Sequence, residues 1–403
     1  MEHLYERLGV RTIINAKGTS TRVSGGIMPI EAARAMYEAS QACVDMIELQ
    51  ARASEIIAEI TGAEAGLVTA GASAGLLLGT AACVTGLDPG KMNRLPDATG
   101  MRNEVIVARS QRNSYDHAVR SVGVELIEVG IADRFSGAGV RDAEPWEYAN
   151  AISERTAAIL YVAQPHSLPT LSDVVTVARR ARVPVLVDAA AQLPPAENLR
   201  RFIGEGADLV VFSGGKALRG PQSSGLLCGR RDLIAAAALQ WMDTDIYFDQ
   251  WNPPPSFIDK SKIIGLPQHG IGRPCKVGKE EIAGLLIALR LFIDEDPERR
   301  RRGWDKTTQA LFTAMRDLPN CAVDIVTDSH GFGMPSVRMT LDEAAAGRTA
   351  LDLVRQLQDG TPSIHVDNSR VAQRIIGFAP IALKPGEPAI IVKTLSELLA
   401  RSR

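Results

Sequence analysis

Two charged residues stand where chemistry can be built. Asp188 closes the apolar run 183–188, and Lys216 lies in the Ser/Gly loop that follows the apolar run 208–212. Both runs read as strands, so both charges fall beyond the carboxyl ends of strands, where open α/β sheets bind their ligands. One reading is a structural ion pair; the other is a reactive amine with an acidic partner. Gly214, Gly215, Gly220 and Gly225 favour the second, because glycine lets a backbone approach a planar ligand closely. Arg219, Ser213, Ser223 and Ser224 offer donors to an anion. In such a setting a lysine amine, its pKa lowered from about 10.4, forms an imine with an aldehyde. The Asp188 carboxylate then pairs with a protonated pyridine nitrogen and keeps the ring an electron sink.

A third piece lies upstream. The segment from Leu67 to Thr69 reads as a strand, Ala70 and Gly71 as a tight turn, and the Ala/Leu run after Ala72 as a helix. Free backbone N–H groups of Gly71, Ala72 and Ser73 at such a helix start can face a phosphate. Alone, this pattern also suits a plain strand-to-helix turn. Its position ahead of Asp188 and Lys216 gives it weight.

The elements that must hold these groups follow from periodicity. Short Val/Ile/Leu-rich runs at 66–69, 104–108, 124–128, 157–162, 184–187, 207–212 and 225–228 alternate with helical patterns such as 73–84 and 171–182. That rhythm predicts a mostly parallel, buried sheet with crossover helices. The prolines at 253–255 and the loop 265–274 interrupt it, and a long helix is expected over 279–294. Beyond residue 320 short strands (322–326, 336–340, 364–366, 374–378) between helices 348–358 and 387–402 predict a small α+β domain. The expected division is an N-terminal arm and helix (1–45) packing on the small domain, a large α/β domain (46–278) and a small C-terminal α+β domain (279–403).

Composition bounds the partners. The 403 residues carry 45 Lys+Arg against 47 Asp+Glu and a formal charge of −2, which gives no global field for a polyanion or an anionic membrane. Five scattered cysteines without a CxxC pair suggest neither a disulfide framework nor a metal site. A cytoplasmic protein is expected, with no signal segment at the start and no membrane span. Ser213-Gly214-Gly215-Lys216-Ala217 lacks the earlier glycine and the hydroxyl residue of a Walker loop, and residues 270–275 lack the third glycine of a dinucleotide fingerprint.

The chain resembles the fold type I pyridoxal 5′-phosphate (PLP) enzymes, in the branch of selenocysteine synthase and D-glucosaminate-6-phosphate ammonia-lyase. The resemblance starts in Thr12-Ile13-Ile14-Asn15-Ala16-Lys17-Gly18-Thr19, passes through Thr61-Gly62-Ala63-Glu64 and the turn at 71–75, and peaks at Asp188-Ala189-Ala190-Ala191-Gln192 and in residues 212–222. It implies the PLP-dependent transferase fold with a seven-stranded, mostly parallel sheet. It also implies Lys216 carrying the cofactor as an aldimine, Asp188 at the pyridine nitrogen, and Gly71, Ala72, Ser73, Gln192 and Ser213 around the cofactor. His117 is expected to stack on the ring, with Tyr115 as second choice; the alternative is that His117 only caps or packs a helix start. His166 and Ser167 are expected near the phenolic oxygen, or in an ordinary loop. For the substrate, Arg22 and Arg273 are candidates as anion contacts, with Lys17, Arg112 and Lys276 beside them, and Arg338, Arg370 or Arg374 for a carboxylate, Arg374 first.

The implied activity is that of an ammonia-lyase on a small β-hydroxy amino acid or amino sugar acid such as D-glucosaminate 6-phosphate, giving a 2-keto acid and ammonia. Racemisation, aldol cleavage, transamination and a selenocysteine synthase-like transfer are the alternatives, and a non-catalytic binding protein is the reading from another class. A tRNA substrate is disfavoured by the balanced charge. Fold type I sites are usually completed across an interface, so a homodimer or higher homo-oligomer with shared sites is expected.

Overall fold

Helix α1 (Leu4–Arg7) and strand β1 (Ile13–Ala16) open the described chain, which comprises residues 4–131, 142–327 and 333–400 of this computed structural model. Helices α2 (Ile30–Ser40) and α3 (Met46–Thr61) lead into β2 (Ala65–Thr69) and α4 (Ala72–Thr85). Asp45 caps α3 by accepting from the N–H groups of Ile47 and Glu48, and Gly62 ends it with φ +71°, a conformation that costs glycine little. Six further strands follow: β3 (Glu104–Ala108), β4 (Glu125–Val129), β5 (Thr156–Val162), β6 (Val185–Asp188), β7 (Leu209–Ser213) and β8 (Gly225–Gly229).

These strands form one seven-stranded sheet in the order β2-β8-β7-β6-β5-β3-β4. The pairings β3 with β4, β3 with β5, β5 with β6 and β6 with β7 are parallel, and β8 alone runs antiparallel, between β2 and β7. Because β8 is reversed relative to both neighbours, β2 and β7 point the same way. Six carboxyl ends therefore share one edge. Burial on both faces explains why β2, β3, β5, β6 and β8 read as continuous apolar runs rather than alternating ones.

Helix α4 is apolar around most of its circumference because it lies inside the unit. Two helical glycines let it press onto the sheet. A Cβ on Gly75 would stand 3.0 Å from Val211 Cγ1, and one on Gly79 would stand 3.2 Å from Leu186 Cδ1. The amino end of α4 is thereby fixed beside the carboxyl ends of the strands.

The remaining strands are β9 (Cys321–Thr327), β10 (Pro335–Leu341), β11 (Ser363–Val366) and β12 (Ile375–Phe378). They form a three-stranded antiparallel sheet, β12-β10-β9, and a parallel pair, β1-β11. Their core includes Ile14, Val337, Met339, Leu353, Ile364, Phe378 and Leu395.

The chain divides into two compact units, Met28–Phe292 and the described residues up to Ile27 with those from Ile293 onward. This differs from the expected division at both borders: residues 28–45 and 279–292 go with the large unit. The reason is local packing. Met36 of α2 lies against Gly284 in the helix Lys279–Asp294, and Leu285 of that helix lies against Gly214 and Gly220, in the lysine loop. The expected helix over 279–294 is present with those bounds.

Candidate active site

Asp188 is the last residue of β6 and is 9% exposed. Its Oδ1 accepts a hydrogen bond from the Ala190 N–H at 3.0 Å. Burial pushes its carboxyl above the usual aspartate range; the Ala190 bond and the Lys216 charge pull it back, and the Asp116 charge pushes it further up. Lys216 is half-buried in the turn after β7, and burial lowers its amine from the usual lysine range against the opposing pull of Asp188. The two groups thus feel each other's charge. Yet among the described residues no salt bridge or hydrogen bond joins them, and the Lys216 amine has no partner. The structural ion pair is therefore not what is built. A basic amine and an acid are held apart at one sheet edge.

The lysine loop braces itself. The Gly214 N–H donates to the Ser224 carbonyl at 2.8 Å, the Gly220 N–H to the Gly214 carbonyl at 2.9 Å, and the Ser224 hydroxyl to the Pro221 carbonyl at 2.6 Å. This corrects the expected role of its glycines and of Ser224. A Cβ on Gly214 would meet Ser224 Oγ at 2.2 Å, and one on Gly215 would meet Gln222 Cα at 2.6 Å, so these glycines make room for the loop itself. The Ser224 donor is spent inside the loop, which leaves Lys216 on a rigid platform.

Across β8 lies the anion cup. Gly71, at φ +90°, precedes α4 without any side-chain cap, so the first N–H groups of a 14-residue helix are left to a ligand. Thr69 and Ser213 both pair with Gly225, which places the cup one strand away from the lysine loop. Gly225 is indispensable there: a Cβ would stand 2.6 Å from the Gly71 carbonyl carbon and 2.7 Å from the Ala72 nitrogen. Gly225→Ala is expected to destabilise the protein by about 1–3 kcal/mol, the cost of overpacking against backbone, and to weaken phosphate binding, measured as a lower unfolding midpoint and a raised cofactor Kd. An unchanged midpoint and Kd would show that the cup tolerates displacement.

Other expected residues separate into those that reach this edge and those that do not. Gln192 is buried in the loop after β6, where its carbonyl accepts from the Asn198 amide at 2.6 Å. His117 sits exposed at the start of the helix Asp116–Arg120, its Nδ1 at 3.3 Å from Arg120 Nη2, and Tyr115 is exposed beside it. His166 is likewise exposed. Arg273 is engaged by Asp243 at 2.7 Å, so it is not the free anion contact that was expected.

The second unit has its own cavity of about 640 Å³, lined by Lys17, Ser20, Ser336, Arg338 and Arg370 among others. Lys17 Nζ donates to Asn368 Oδ1 at 2.9 Å, and Arg338 is paired with Asp324 at 2.7 Å. Arg370 lines the cavity with no ion-pair partner among the described residues. Arg374, the first choice from sequence, instead pairs with Glu343 at 3.4 Å and lies outside the cavity lining. Arg22 stands near His365, whose pKa is lowered by burial and then by the Arg22, Arg11 and Lys17 charges.

Two residues that sequence reading missed adjoin Asp188. Gln111 and Asp116, 5% and 4% exposed, each keep one polar atom, Nε2 and Oδ1, buried without a partner. Leaving such atoms unpaired costs about 1–3 kcal/mol each, and a group bound beside Asp188 would satisfy both. In sequence both fall in a polar loop that reads as surface. A free amine, a separate buried acid, an uncapped helix start and orphaned polar atoms at one edge fit a planar, phosphorylated pyridine aldehyde.

Comparison with known proteins gives matching results. The family model for L-seryl-tRNA selenium transferase matches residues 47–243. A 5′-C-glycyluridine monooxygenase-decarboxylase from a Streptomyces species is 32% identical over 98% of this chain and 92% of its own length. The D-glucosaminate-6-phosphate ammonia lyase of Salmonella typhimurium is 30% identical over 98% of both chains. A solved structure of D-glucosaminate-6-phosphate ammonia-lyase superposes with a TM-score of 0.81 at 29% identity, covering 100% of this chain and 99% of that one.

Proposed function

Because the chain belongs to the selenocysteine synthase-like branch of fold type I PLP enzymes, the family of D-glucosaminate-6-phosphate ammonia lyase, we propose that it is an ammonia-lyase. Its substrate is a small hydroxylated amino acid or amino sugar acid, with D-glucosaminate 6-phosphate as the first choice. The products are a 2-keto acid and ammonia. The observation that carries this reading is the unpaired Lys216 amine held apart from the buried Asp188 carboxylate at one sheet edge.

When bound, PLP supplies an electron sink that acidifies the hydrogen on the α-carbon of an attached amino acid. Lys216 is suited to attach the cofactor and, once displaced by substrate, to accept that α-proton, because its lowered pKa keeps more of the amine unprotonated. The same ammonium then hands its proton to the departing β-hydroxyl, which leaves as water; the enamine that is released takes a proton on carbon, and a water added to the resulting imine expels ammonia and leaves the 2-keto acid. Asp188 would keep a proton on the ring nitrogen of the bound cofactor. The N–H groups of Ala72 and Ser73 would hold its phosphate, with Ser213 and Gln192 beside them and His117 as the candidate to cover the ring.

Arg374 is paired with Glu343, which argues against it as the contact for a substrate carboxylate.

The experiment that tests the function is incubation with a panel of amino acids and amino sugar acids, followed for ammonia, keto acid, chirality, carbon dioxide and oxygen uptake. Ammonia and keto acid in equal amounts support the lyase. Keto acid without free ammonia points to transamination, and racemised substrate without keto acid to an isomerase. Oxygen uptake with carbon dioxide release points to the second reading, an oxidative decarboxylase, which the 32% identical Streptomyces relative favours.

A homodimer with shared sites is part of the same proposal, supported by the exposed apolar residues Leu4, Tyr5, Leu8 and Val10. Cytoplasmic placement is supported by five free cysteines. Among the described residues no helix is long and apolar enough to cross a membrane.

A further inference from the structure

Gln111 has one end of its amide fixed and the other unused. Its Oε1 accepts from the Val162 N–H at 2.8 Å. That bond sets the orientation of the amide, because only the oxygen can face a backbone N–H. The Nε2 is consequently turned away from β5, buried and without a partner. Val162 is the register partner of Asp188, and the Ala163 N–H donates to the Asp188 carbonyl at 2.9 Å. Gln111 therefore sits next to the strand end that carries the acid of the site. A second orphaned atom marks the same place: Asp116 Oδ2 is held by Arg112, which Glu128 holds in turn, while Oδ1 is buried without a partner.

Nε2 is a neutral amide donor, and it faces a group that must accept. PLP offers two strong acceptors besides its carbonyl, the phosphate and the phenolic oxygen. The phosphate is provided for by the uncapped start of α4 across β8. Of the two residues expected at the phenolic oxygen, Ser167 spends its hydroxyl on the Val162 carbonyl at 3.0 Å, and His166 is exposed, whereas Gln111 Nε2 is buried and unspent. Resting on the cofactor assignment above, we propose that Gln111 is a positioning residue that donates from Nε2 to the phenolic oxygen of the bound ring.

The consequence can be read in the resting enzyme without substrate. A donor to the phenolic oxygen stabilises its negative charge and weakens its hold on the proton that it shares with the Lys216 nitrogen. Removing the donor strengthens that hold, and replacing it by a carboxylate strengthens it more.

Gln111→Glu keeps an oxygen for the Val162 N–H, so a merely structural role for Gln111 survives in it. The experiment is a pH titration of the visible absorbance band of cofactor-loaded wild type, Gln111→Glu and Gln111→Met, with unfolding midpoints of the cofactor-free proteins alongside. The expected result is that the apparent pKa of the band rises by about one pH unit in Gln111→Met, a tenfold change in proton affinity, and by more in Gln111→Glu. Gln111→Met guards against misfolding of the charged variant, and either variant alone suffices for the comparison. Titration curves that coincide with wild type overturn the proposal even if a midpoint falls, because that leaves Gln111 only its bond to Val162. Failure of the wild type to develop a visible band would instead overturn the cofactor assignment itself, and this proposal with it.

Discussion

Lys216→Ala is expected to lose covalent attachment of the cofactor and to lower kcat by roughly 10³-fold or more, since one side chain both binds the cofactor and moves the proton. That loss corresponds to about 4 kcal/mol of transition-state stabilisation. Borohydride reduction followed by peptide mass analysis should place a pyridoxyl group on Lys216 of the wild type and on no residue of the variant. Added methylamine should restore part of the rate, because a small base can enter the space of the missing side chain. Attachment at another lysine, Lys17 for example, would sink the assignment. The fold itself should survive the substitution, for the lysine loop is held by the Gly214–Ser224 and Gly220–Gly214 backbone bonds and not by the Lys216 side chain.

Asp188→Asn should produce opposite effects on activity and on stability. Activity is expected to fall by roughly 10²-fold or more, because a neutral amide cannot hold the ring nitrogen protonated. Stability of the cofactor-free protein at neutral pH is expected to rise. Burial raises the folded-state pKa of Asp188 above its ordinary value of 3.8, so the folded protein binds that proton more tightly than the unfolded chain does. The stability this contributes is fully present below 3.8 and is lost as pH rises through the folded value. At pH 7 the ionised carboxylate is therefore a cost that asparagine avoids. Unfolding midpoints of the cofactor-free proteins should favour the variant at pH 7 and converge as the pH falls towards the ordinary aspartate value. A variant that is less stable at pH 7 would contradict the direction of the shift.

Much of the scaffold was legible in the sequence. The seven apolar runs matched the seven strands of the large sheet to within a residue or two, because burial on both faces of all but the edge strand β4 demands nearly uninterrupted apolar residues. Strand β1 and the long helix Pro297–Met315 were less visible. The first is only four residues long, and the second carries four consecutive arginines in its first turns, a charged helical face with no apolar period to mark where the helix starts. Its Arg300 is in fact paired with Glu295 at 2.7 Å. The domain borders were misplaced at α2 and at the helix after residue 278, since amphipathic helices declare that they pack and not against what.

The sequence by itself determined the kind of chemistry: an acid at the end of one strand, a lysine after the next, and a Gly/Ala/Ser turn ahead of both are local patterns, readable because the residues that make them are adjacent in the chain. Tertiary structure decided which charges remain available for it. Arg273, Arg374 and Ser224 looked free and are engaged by Asp243, Glu343 and the Pro221 carbonyl, while Gln111 and Asp116 looked like surface and are buried with unused polar atoms beside Asp188. The physical reason is that a side chain's type is carried by the chain, whereas its partner and its access to water exist only after distant segments have met.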